Sequence, residues 1–237
     1  MQERPINLLD WQVLAALDGR KTRHTVPVNP QPDFDETKYE HGFWSSSYET
    51  PDSWEFMYRR HDGRFYPVNN YKIKSPFGVV GDRLYVRETW APARVSESYE
   101  YGDVCYFKWD EWLLGKIQKD EPNLAIFYRA DGEDNLPAEF SMPHGNEIPW
   151  HPSIHMPHWA SRITLEITLV RIERLQEITG DGVLAEGIEF PEASHYIEAH
   201  RRFDFFRDLW DSIYAKRGLG WDSNPWVWVI EFRRVNP

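Results

Sequence analysis

The segment Leu17-Asp18-Gly19-Arg20-Lys21-Thr22-Arg23-His24-Thr25 is the part of the chain around which the predicted fold is arranged. An apolar run over Trp11–Leu17 precedes it and is typical of a short helix. Gly19 should end that helix, because glycine adopts the left-handed conformation of a helix C-terminus without a Cβ clash. Three basic side chains then follow within four residues, and they suit an anionic or a polar planar ligand: Arg20, Lys21 and Arg23. A solvated basic turn is the alternative interpretation.

Composition limits the possible functions. The 237 residues carry a net charge of −11, which disfavours non-specific attachment to duplex DNA, where neutralisation of phosphates dominates affinity. Aromatic residues make up 16% of the chain, enough to supply both a core and a surface that stacks on planar ligands. A single cysteine, Cys105, excludes an intrachain disulfide and a multi-cysteine zinc site. No apolar signal core or membrane-length apolar run is seen, so we expect a cytoplasmic protein without membrane attachment.

The order of the predicted elements favours one α+β, mainly β domain over residues 1–237. Alternating patterns predict strands at Leu84–Trp90, Ile163–Leu175 and Trp226–Phe232. Helices are predicted at Trp11–Leu17, with Asp10 as N-cap and Leu14 and Leu17 inside, at Asp181–Glu186, and at Glu198–Lys216 with its aromatic face inward. Strands and helices do not alternate regularly. A small curved β-barrel with flanking helices is therefore favoured over a doubly wound sheet.

Two aromatic-rich segments, residues 33–75 and 92–150, are interpreted as insertions into this fold. The first contains short strand patterns and an Asp62-Gly63 hairpin turn, and it could lie over the site. The second contains predicted strands at Val104–Phe107 and Ala125–Tyr128.

Six short motifs occur in a fixed order along the chain. They are Leu17-Asp18-Gly19-Arg20-Lys21-Thr22, Gly81-Asp82-Arg83-Leu84-Tyr85-Val86-Arg87-Glu88, Ser153-Ile154-His155-Met156-Pro157, Trp159-Ala160-Ser161-Arg162-Ile163, Leu184-Ala185-Glu186-Gly187-Ile188 and Asn224-Pro225-Trp226-Val227-Trp228-Val229-Ile230-Glu231-Phe232. Together they resemble ASCH-domain proteins, a branch of the PUA-like β-barrels. The Trp-rich insertions are similar to those of long phage and prophage members.

The resemblance implies a barrel with a cleft for nucleic acid or a nucleoside. Some small bacterial members are amidohydrolases that remove the acetyl group of acetylcytidine, and others are RNA-binding or ribonuclease-like. The amidohydrolases use a lysine of the Gly-Arg-Lys-Thr motif, a threonine three residues later and a glutamate on a later helix. Carried over by motif, these positions are Lys21, His24 and Glu186, so this chain departs from the pattern at the threonine.

Several routes to amide hydrolysis remain open from the residues alone. Lys21 could act as a base if burial lowers its pKa, and Glu186 could carry the proton to the leaving amine. Thr25 is the nearest later hydroxyl, but an extended chain places it about 13 Å from Lys21. Thr22 should point away from Lys21 in a strand, and His24 could itself activate a water.

Further candidates for ligand binding come from the same motifs. Trp159 and Arg162 could stack on and hydrogen-bond a base, or they could be a core residue and a surface ion pair. Ser161 lies between them, and Arg87 and Glu88 could form an inward polar pair or a pair at the rim of the barrel. Prolines prevent the three histidines at 151, 155 and 158 from sharing a helix face, so we predict no metal and no cofactor.

Three functions are therefore compared. The first is binding of single-stranded RNA or a modified nucleoside, with Arg20, Thr22 and Arg23 as contacts. The second is an amidohydrolase acting through Lys21 and Glu186. The third is a phage accessory protein that acts through protein contacts. For the first two, Lys21 and Glu186 should face one cleft, with Trp159 and Arg162 near its wall.

Overall fold

The computed structural model describes residues 1–32, 42–47, 50–96, 104–106, 124–132, 150–188 and 195–235. Within these ranges the strands are β1 (Glu3–Asn7), β2 (Arg23–Pro27), β3 (Phe43–Ser46), β4 (Ser53–Arg59), β5 (Phe65–Lys74), β6 (Arg83–Arg87), β7 (Trp90–Ser96), β8 (Val104–Tyr106), β9 (Leu124–Tyr128), β10 (Thr164–Arg174) and β11 (Trp226–Val235). The helices are α1 (Asp10–Leu17), α2 (Gly180–Ala185) and α3 (His195–Tyr214). The fold is thus α+β and rich in strands, as the sequence predicts.

The largest sheet has five strands in the order β1-β6-β10-β11-β2. β1 runs parallel to β6, and the other three pairings are antiparallel. The three strands expected from alternating patterns do lie in this one sheet, although β6 ends at Arg87 and Trp90 begins a strand of another sheet. Across the described residues the sheet is open, because β1 and β2 form its edges and each pairs with one strand. A closed barrel is therefore not formed.

Strand β11 is central because its apolar run is buried on both faces. Residues 226–230 are all buried, as expected for a strand covered on two sides. One face meets the sheet β3-β4-β5, where the Trp226 ring lies 5.8 Å from Trp44 and 5.9 Å from Phe56, in edge-to-face contacts. The sheet β3-β4-β5 therefore belongs to the main core rather than only covering a site.

The other face of β11 packs against α3. Val227 and Val229 form a buried cluster with Phe206 and Trp210, which confirms the predicted aromatic face of this helix. Ile213, expected on the same face, is 41% exposed. None of the described helices combines the length and apolar character that crossing a bilayer requires.

The two predicted insertions contain the two smaller sheets. In the first, the Arg60 amide donates to the Arg64 carbonyl over 2.9 Å and Gly63 has a φ of 81°, so the Asp62-Gly63 hairpin turn is confirmed. In the second, β7, β8 and β9 form a sheet in the order β8-β7-β9. The rest of that segment, residues 97–103, 107–123 and 133–149, lies outside the described ranges.

Helix α1 connects the two edge strands of the main sheet. It begins at Asp10, so Leu9 occupies the N-cap position that was predicted for Asp10. The predicted inner face is also partly wrong, because Leu14 is 41% exposed while Val13 is fully buried. Two turns of helix hold too few apolar positions to determine which face is buried. Gly19 has a φ of 78° and ends the helical region as expected, so the chain turns back beneath α1 towards Lys21.

Candidate functional site

A cavity of about 370 Å³ lies between the two edge strands of the open sheet. Residues of β1 and β2 both line it, and α1 and α3 complete its walls. Its described polar and charged lining residues are Asn7, Gln12, His24, Thr25, Ser153, Tyr214 and Glu186, and its aromatic ones include Trp11, Phe77, Phe206 and Trp210. This volume falls within the range of small-molecule sites. The gap that keeps the sheet from closing is therefore the candidate binding site.

Glu186 joins Lys21 and Thr25 at the base of this cavity. Lys21 Nζ donates to Glu186 Oε2 over 2.7 Å, and the Thr25 hydroxyl donates to Glu186 Oε1 over 2.6 Å. Lys21, Thr25 and Glu186 are 2%, 7% and 3% exposed. The expected contact between Lys21 and Glu186 is observed, but only Glu186 lines the cavity, and Lys21 is not among its described lining residues. The distance argument against Thr25 overlooked the carboxylate that bridges it to Lys21.

The contacts of Lys21 define its charge and its role. Besides Glu186 Oε2, its Nζ donates to the backbone carbonyls of Arg23 and Glu186, over 2.7 and 3.2 Å. These three acceptors use all three protons of an ammonium group. Burial lowers the pKa of Lys21, more than the charge of Glu186 raises it. Lys21 therefore holds the Glu186 carboxylate in place, and the hydroxyl of Thr25 donates to the other oxygen of that carboxylate.

Arg23 completes the polar cluster from β2. Its Nε donates to Thr25 Oγ1 over 3.2 Å, and its Nη2 donates to Glu173 Oε1. The Thr25 oxygen therefore accepts from Arg23 while its hydrogen points to Glu186, which leaves one lone pair for a ligand. Burial alone would raise the pKa of the Glu186 carboxyl, but Lys21, His24 and the hydrogen bonds from Lys21 and Thr25 outweigh it and hold this pKa below its ordinary value.

Two glycines let α2 approach β2 closely enough to build this cluster. Gly187 ends the helical region at a φ of 87°, and a Cβ there would stand 2.7 Å from the Ala15 side chain and 3.1 Å from that of Lys21. A Cβ at Gly182 would stand 2.8 Å from Arg23 Nη1. Thr179 caps α2 by accepting from the Gly182 amide. Glu186 is thus presented to Lys21 by a short capped helix that stops at Gly187, as predicted.

His24 also lines the cavity, and it is neutral near pH 7. Burial, together with the nearby Lys21 ammonium, lowers the pKa of His24 to about 4. Its Nδ1 is buried and has no hydrogen-bond partner within the described part of the chain. The ring packs edge to face with Phe77, with centroids 6.4 Å apart. The imidazole is therefore uncharged near neutral pH, and the role of His24 in activating water stays a prediction.

We expect His24 to reduce the stability of the folded protein in acid. Its pKa falls from 6.5 to about 4 on folding, so the unfolded chain binds more protons between these values. The contribution to the free energy of unfolding is complete above pH 6.5 and is lost as the pH falls towards 4, by up to about 3 kcal/mol. Urea unfolding at pH 7.5 and 4.5 should show this loss in the wild type relative to His24→Asn.

His61→Asn is the control, because it removes an exposed imidazole and so measures the general effect of losing a histidine. A difference between wild type and His24→Asn that stays constant over this pH range would contradict a buried neutral His24.

The basic cluster expected to hold a ligand does not form a surface patch. Lys21 and Arg23 are buried among their carboxylate partners. Arg20 is exposed, with its Nη2 2.8 Å from Asp18 Oδ2. Thr22 is exposed, and its amide donates to the Ala185 carbonyl. The sequence shows the charges but not that two of them turn inward, Lys21 just before the edge strand β2 and Arg23 at its start.

The second group of candidate ligand residues lies outside the cavity. Arg162 binds both oxygens of Glu88 and both of Asp131, at 2.8 to 2.9 Å, with its guanidinium 4.0 Å from the centre of the Tyr128 ring. Glu88 is fully buried, and that burial raises its pKa. These contacts join β6, β9 and the segment before β10. The expectation that Arg162 lies on the wall of the cavity is wrong.

The neighbours of Arg162 also make structural contacts. Trp159 packs against the buried cluster around Trp90. The Ser161 hydroxyl donates to the Val86 carbonyl over 2.8 Å, and Arg87 Nη1 donates to the Ile154 carbonyl over 2.7 Å. The expected place of Trp159 near the cavity wall is therefore wrong as well. In this segment Ser153 is the residue that lines the cavity.

Sequence reasoning missed most of the cavity wall. The aromatic spacing of α3 predicted buried rings, but it did not show that Trp210 and Tyr214 also line a cavity. Trp11 and Phe77 come from separate parts of the chain and carry no local signal for this role. Comparisons with protein-family models, curated proteins and solved structures find no match for this chain.

Proposed function

We propose that the protein binds an acylated nucleoside in the cavity and hydrolyses its amide, with Thr25 as nucleophile. The observation that carries this proposal is the 2.6 Å hydrogen bond from the Thr25 hydroxyl to a buried carboxylate at the base of an aromatic-lined cavity. A hydroxyl held by a base, which is held in turn by a third group, is the arrangement that nucleophilic catalysis needs. It agrees with the resemblance to PUA-like ASCH amidohydrolases. In those proteins a threonine stands at the position of His24, and we propose that Thr25 takes over its role.

In the proposed reaction Thr25 Oγ1 attacks the acyl carbon while its proton moves to Glu186 Oε1. The C–N bond then breaks, and Glu186 gives the proton to the leaving amine. Water next attacks the threonyl ester and transfers a proton through Glu186 back to Thr25, which releases the carboxylic acid. Arg23 donates to the Thr25 oxygen and orients it, and Lys21 keeps the Glu186 carboxylate in position.

The charges around the cavity favour an uncharged nucleoside over a nucleotide or an RNA strand. Among the described lining residues there is no lysine or arginine, and Glu186 is the carboxylate that faces the cavity. A phosphate would therefore lose water without gaining a cation, which is unfavourable. Trp11, Phe77 and Trp210 offer rings on which a base could stack.

Hydrolysis of acetylcytidine and of its 5′-monophosphate tests this function. We expect the wild-type protein to release cytidine and acetate from the nucleoside, with kcat/KM for the monophosphate lower by at least about tenfold, the effect of roughly one unfavourable charge contact. Chromatography of the products measures both rates. Equal kcat/KM values for the nucleoside and its monophosphate would contradict the preference for an uncharged ligand. No turnover and no binding of any acylated nucleoside would contradict the function.

A further inference from the structure

Two arginines and two glutamates on one face of the main sheet form crossed ion pairs. Arg23 of β2 lies directly opposite Glu231 of β11 in the strand register. Nevertheless, Arg23 Nη2 donates to Glu173 Oε1 on β10, over 2.5 Å. Glu231 Oε1 instead accepts a hydrogen bond from Arg171 Nη1, also over 2.5 Å. Arg23 therefore pairs with a glutamate two strands away rather than with the one opposite it in the register.

The position of the Arg23 guanidinium determines what the Thr25 hydroxyl can do. Nε donates to Thr25 Oγ1 over 3.2 Å and lies 3.8 Å from Glu186 Oε1. A small rotation would bring Arg23 onto Oε1, the atom that accepts the Thr25 proton. An arginine bound there would compete with Thr25 for the carboxylate.

Glu173 has the geometry to prevent that rotation. Its Oε1 accepts from Arg23, and its Oε2 accepts from Arg171 Nε over 2.7 Å, so both oxygens are fixed. The Glu173 and Arg23 side chains are 14% and 4% exposed, which strengthens their pairing relative to a surface ion pair. Gly182 lies close to Arg23 Nη1 and therefore limits rotation of the guanidinium away from Glu186 Oε1.

We propose that Glu173 is a positioning residue that holds Arg23 on the Thr25 oxygen and keeps Glu186 Oε1 free to take the Thr25 proton. The inference rests on the proposed function for its catalytic consequence. The arrangement of the charges can be tested without turnover.

Other groups also face Glu186 and influence its protonation. They are Lys21, Arg23, His24 and Thr25 from the chain after α1, and Tyr214 from α3. A substitution at Glu173 leaves every one of them in the protein. A change at Glu186 in that variant therefore reports the loss of the Glu173 carboxylate, which acts through its own charge as well as through the released Arg23.

The test compares Glu173→Gln with Glu166→Gln. Glu166 also lies on β10 and pairs with an arginine, with Arg233 Nη2 2.8 Å from its Oε1, but that arginine does not contact Thr25. In protein labelled with ¹³C at the glutamate carboxyls, the Glu186 signal is assigned with Glu186→Gln and titrated. Kinetics with acetylcytidine are measured on the same variants.

In Glu173→Gln we expect Glu186 to titrate at lower pH than in wild type, because Arg23 moves onto its carboxylate without a compensating charge. The acid limb of the pH–rate profile should move the same way. kcat should fall by roughly tenfold to a hundredfold with little change in KM, as for a displaced catalytic group. Glu166→Gln should match the wild type in all three measurements.

Each result has a defined meaning. If the Glu186 titration changes no more in Glu173→Gln than in Glu166→Gln, the positioning role is wrong, whatever the turnover. If Glu186 shifts but kcat is unchanged, the role in catalysis is wrong. If Glu186 shifts and the wild type hydrolyses no acylated nucleoside, the arrangement stands and the proposed function fails.

Discussion

Replacing Thr25 by alanine should reduce turnover of acetylcytidine by at least about 10³-fold, the scale on which loss of a hydrolase nucleophile acts. The substitution removes the hydroxyl that contacts Glu186, while Lys21 and Glu186 keep their ion pair. Thr25→Ser keeps the hydroxyl and should retain much more activity than Thr25→Ala. Steady-state rates of cytidine release measure both variants.

Stability controls for this experiment follow from the structure. Thr25→Ala leaves one hydrogen bond to the Glu186 carboxylate unmade, which should lower the free energy of unfolding by about 1–3 kcal/mol. Thr168→Ala is a matched control, because Thr168 is an exposed strand threonine that does not line the cavity. Turnover by Thr25→Ala equal to that of Thr168→Ala would show that Thr25 is not the nucleophile.

Replacing Lys21 by methionine should destabilise the fold by about 3–5 kcal/mol, because it removes the ammonium that contacts the buried Glu186 charge at 2.7 Å. For a chain of this size, that loss corresponds to a decrease in Tm of roughly 6–20 °C. Adding Glu186→Leu to Lys21→Met removes the unpaired charge and should recover part of the loss. Thermal unfolding of the single and double variants measures this coupling.

Arg233→Met provides an exposed ion pair for comparison with the buried Lys21–Glu186 pair. It breaks the Arg233–Glu166 contact, in which the arginine side chain is 69% exposed, and should cost no more than about 1 kcal/mol. Equal losses for Lys21→Met and Arg233→Met would contradict the buried pair. Because Lys21 and Glu186 are both buried, activity and stability should fall together in their variants. Thr25 therefore gives the cleaner test of function.

The parts of the fold that local patterns control were predictable from the sequence. The apolar run of β11 and the alternation in β10 predicted strands, and both strands lie in the main sheet. Gly19 and Gly187 predicted the ends of α1 and α2, because a positive φ is needed there. The open edge between β1 and β2 could not be predicted, since strand patterns do not show which edges remain unpaired.

The candidate site was predictable only where a motif named its residues. Lys21 and Glu186 were found by resemblance, and their contact is observed at 2.7 Å. Spacing along a strand argues against a role for Thr25 beside Lys21, because it ignores a carboxylate 161 positions away in the sequence. The link from Arg23 to Glu173 depends on strand register, which the sequence alone does not specify.

The most direct measurement of the central claim is the mass of the protein during turnover. Wild type mixed with acetylcytidine and quenched in acid should gain one acetyl group, and digestion should place it on Thr25. Thr25→Ala should show no such gain and little release of cytidine. If Thr25→Ala releases cytidine at the wild-type rate, or if the wild type releases none, Thr25 and Glu186 do not form the proposed catalytic pair.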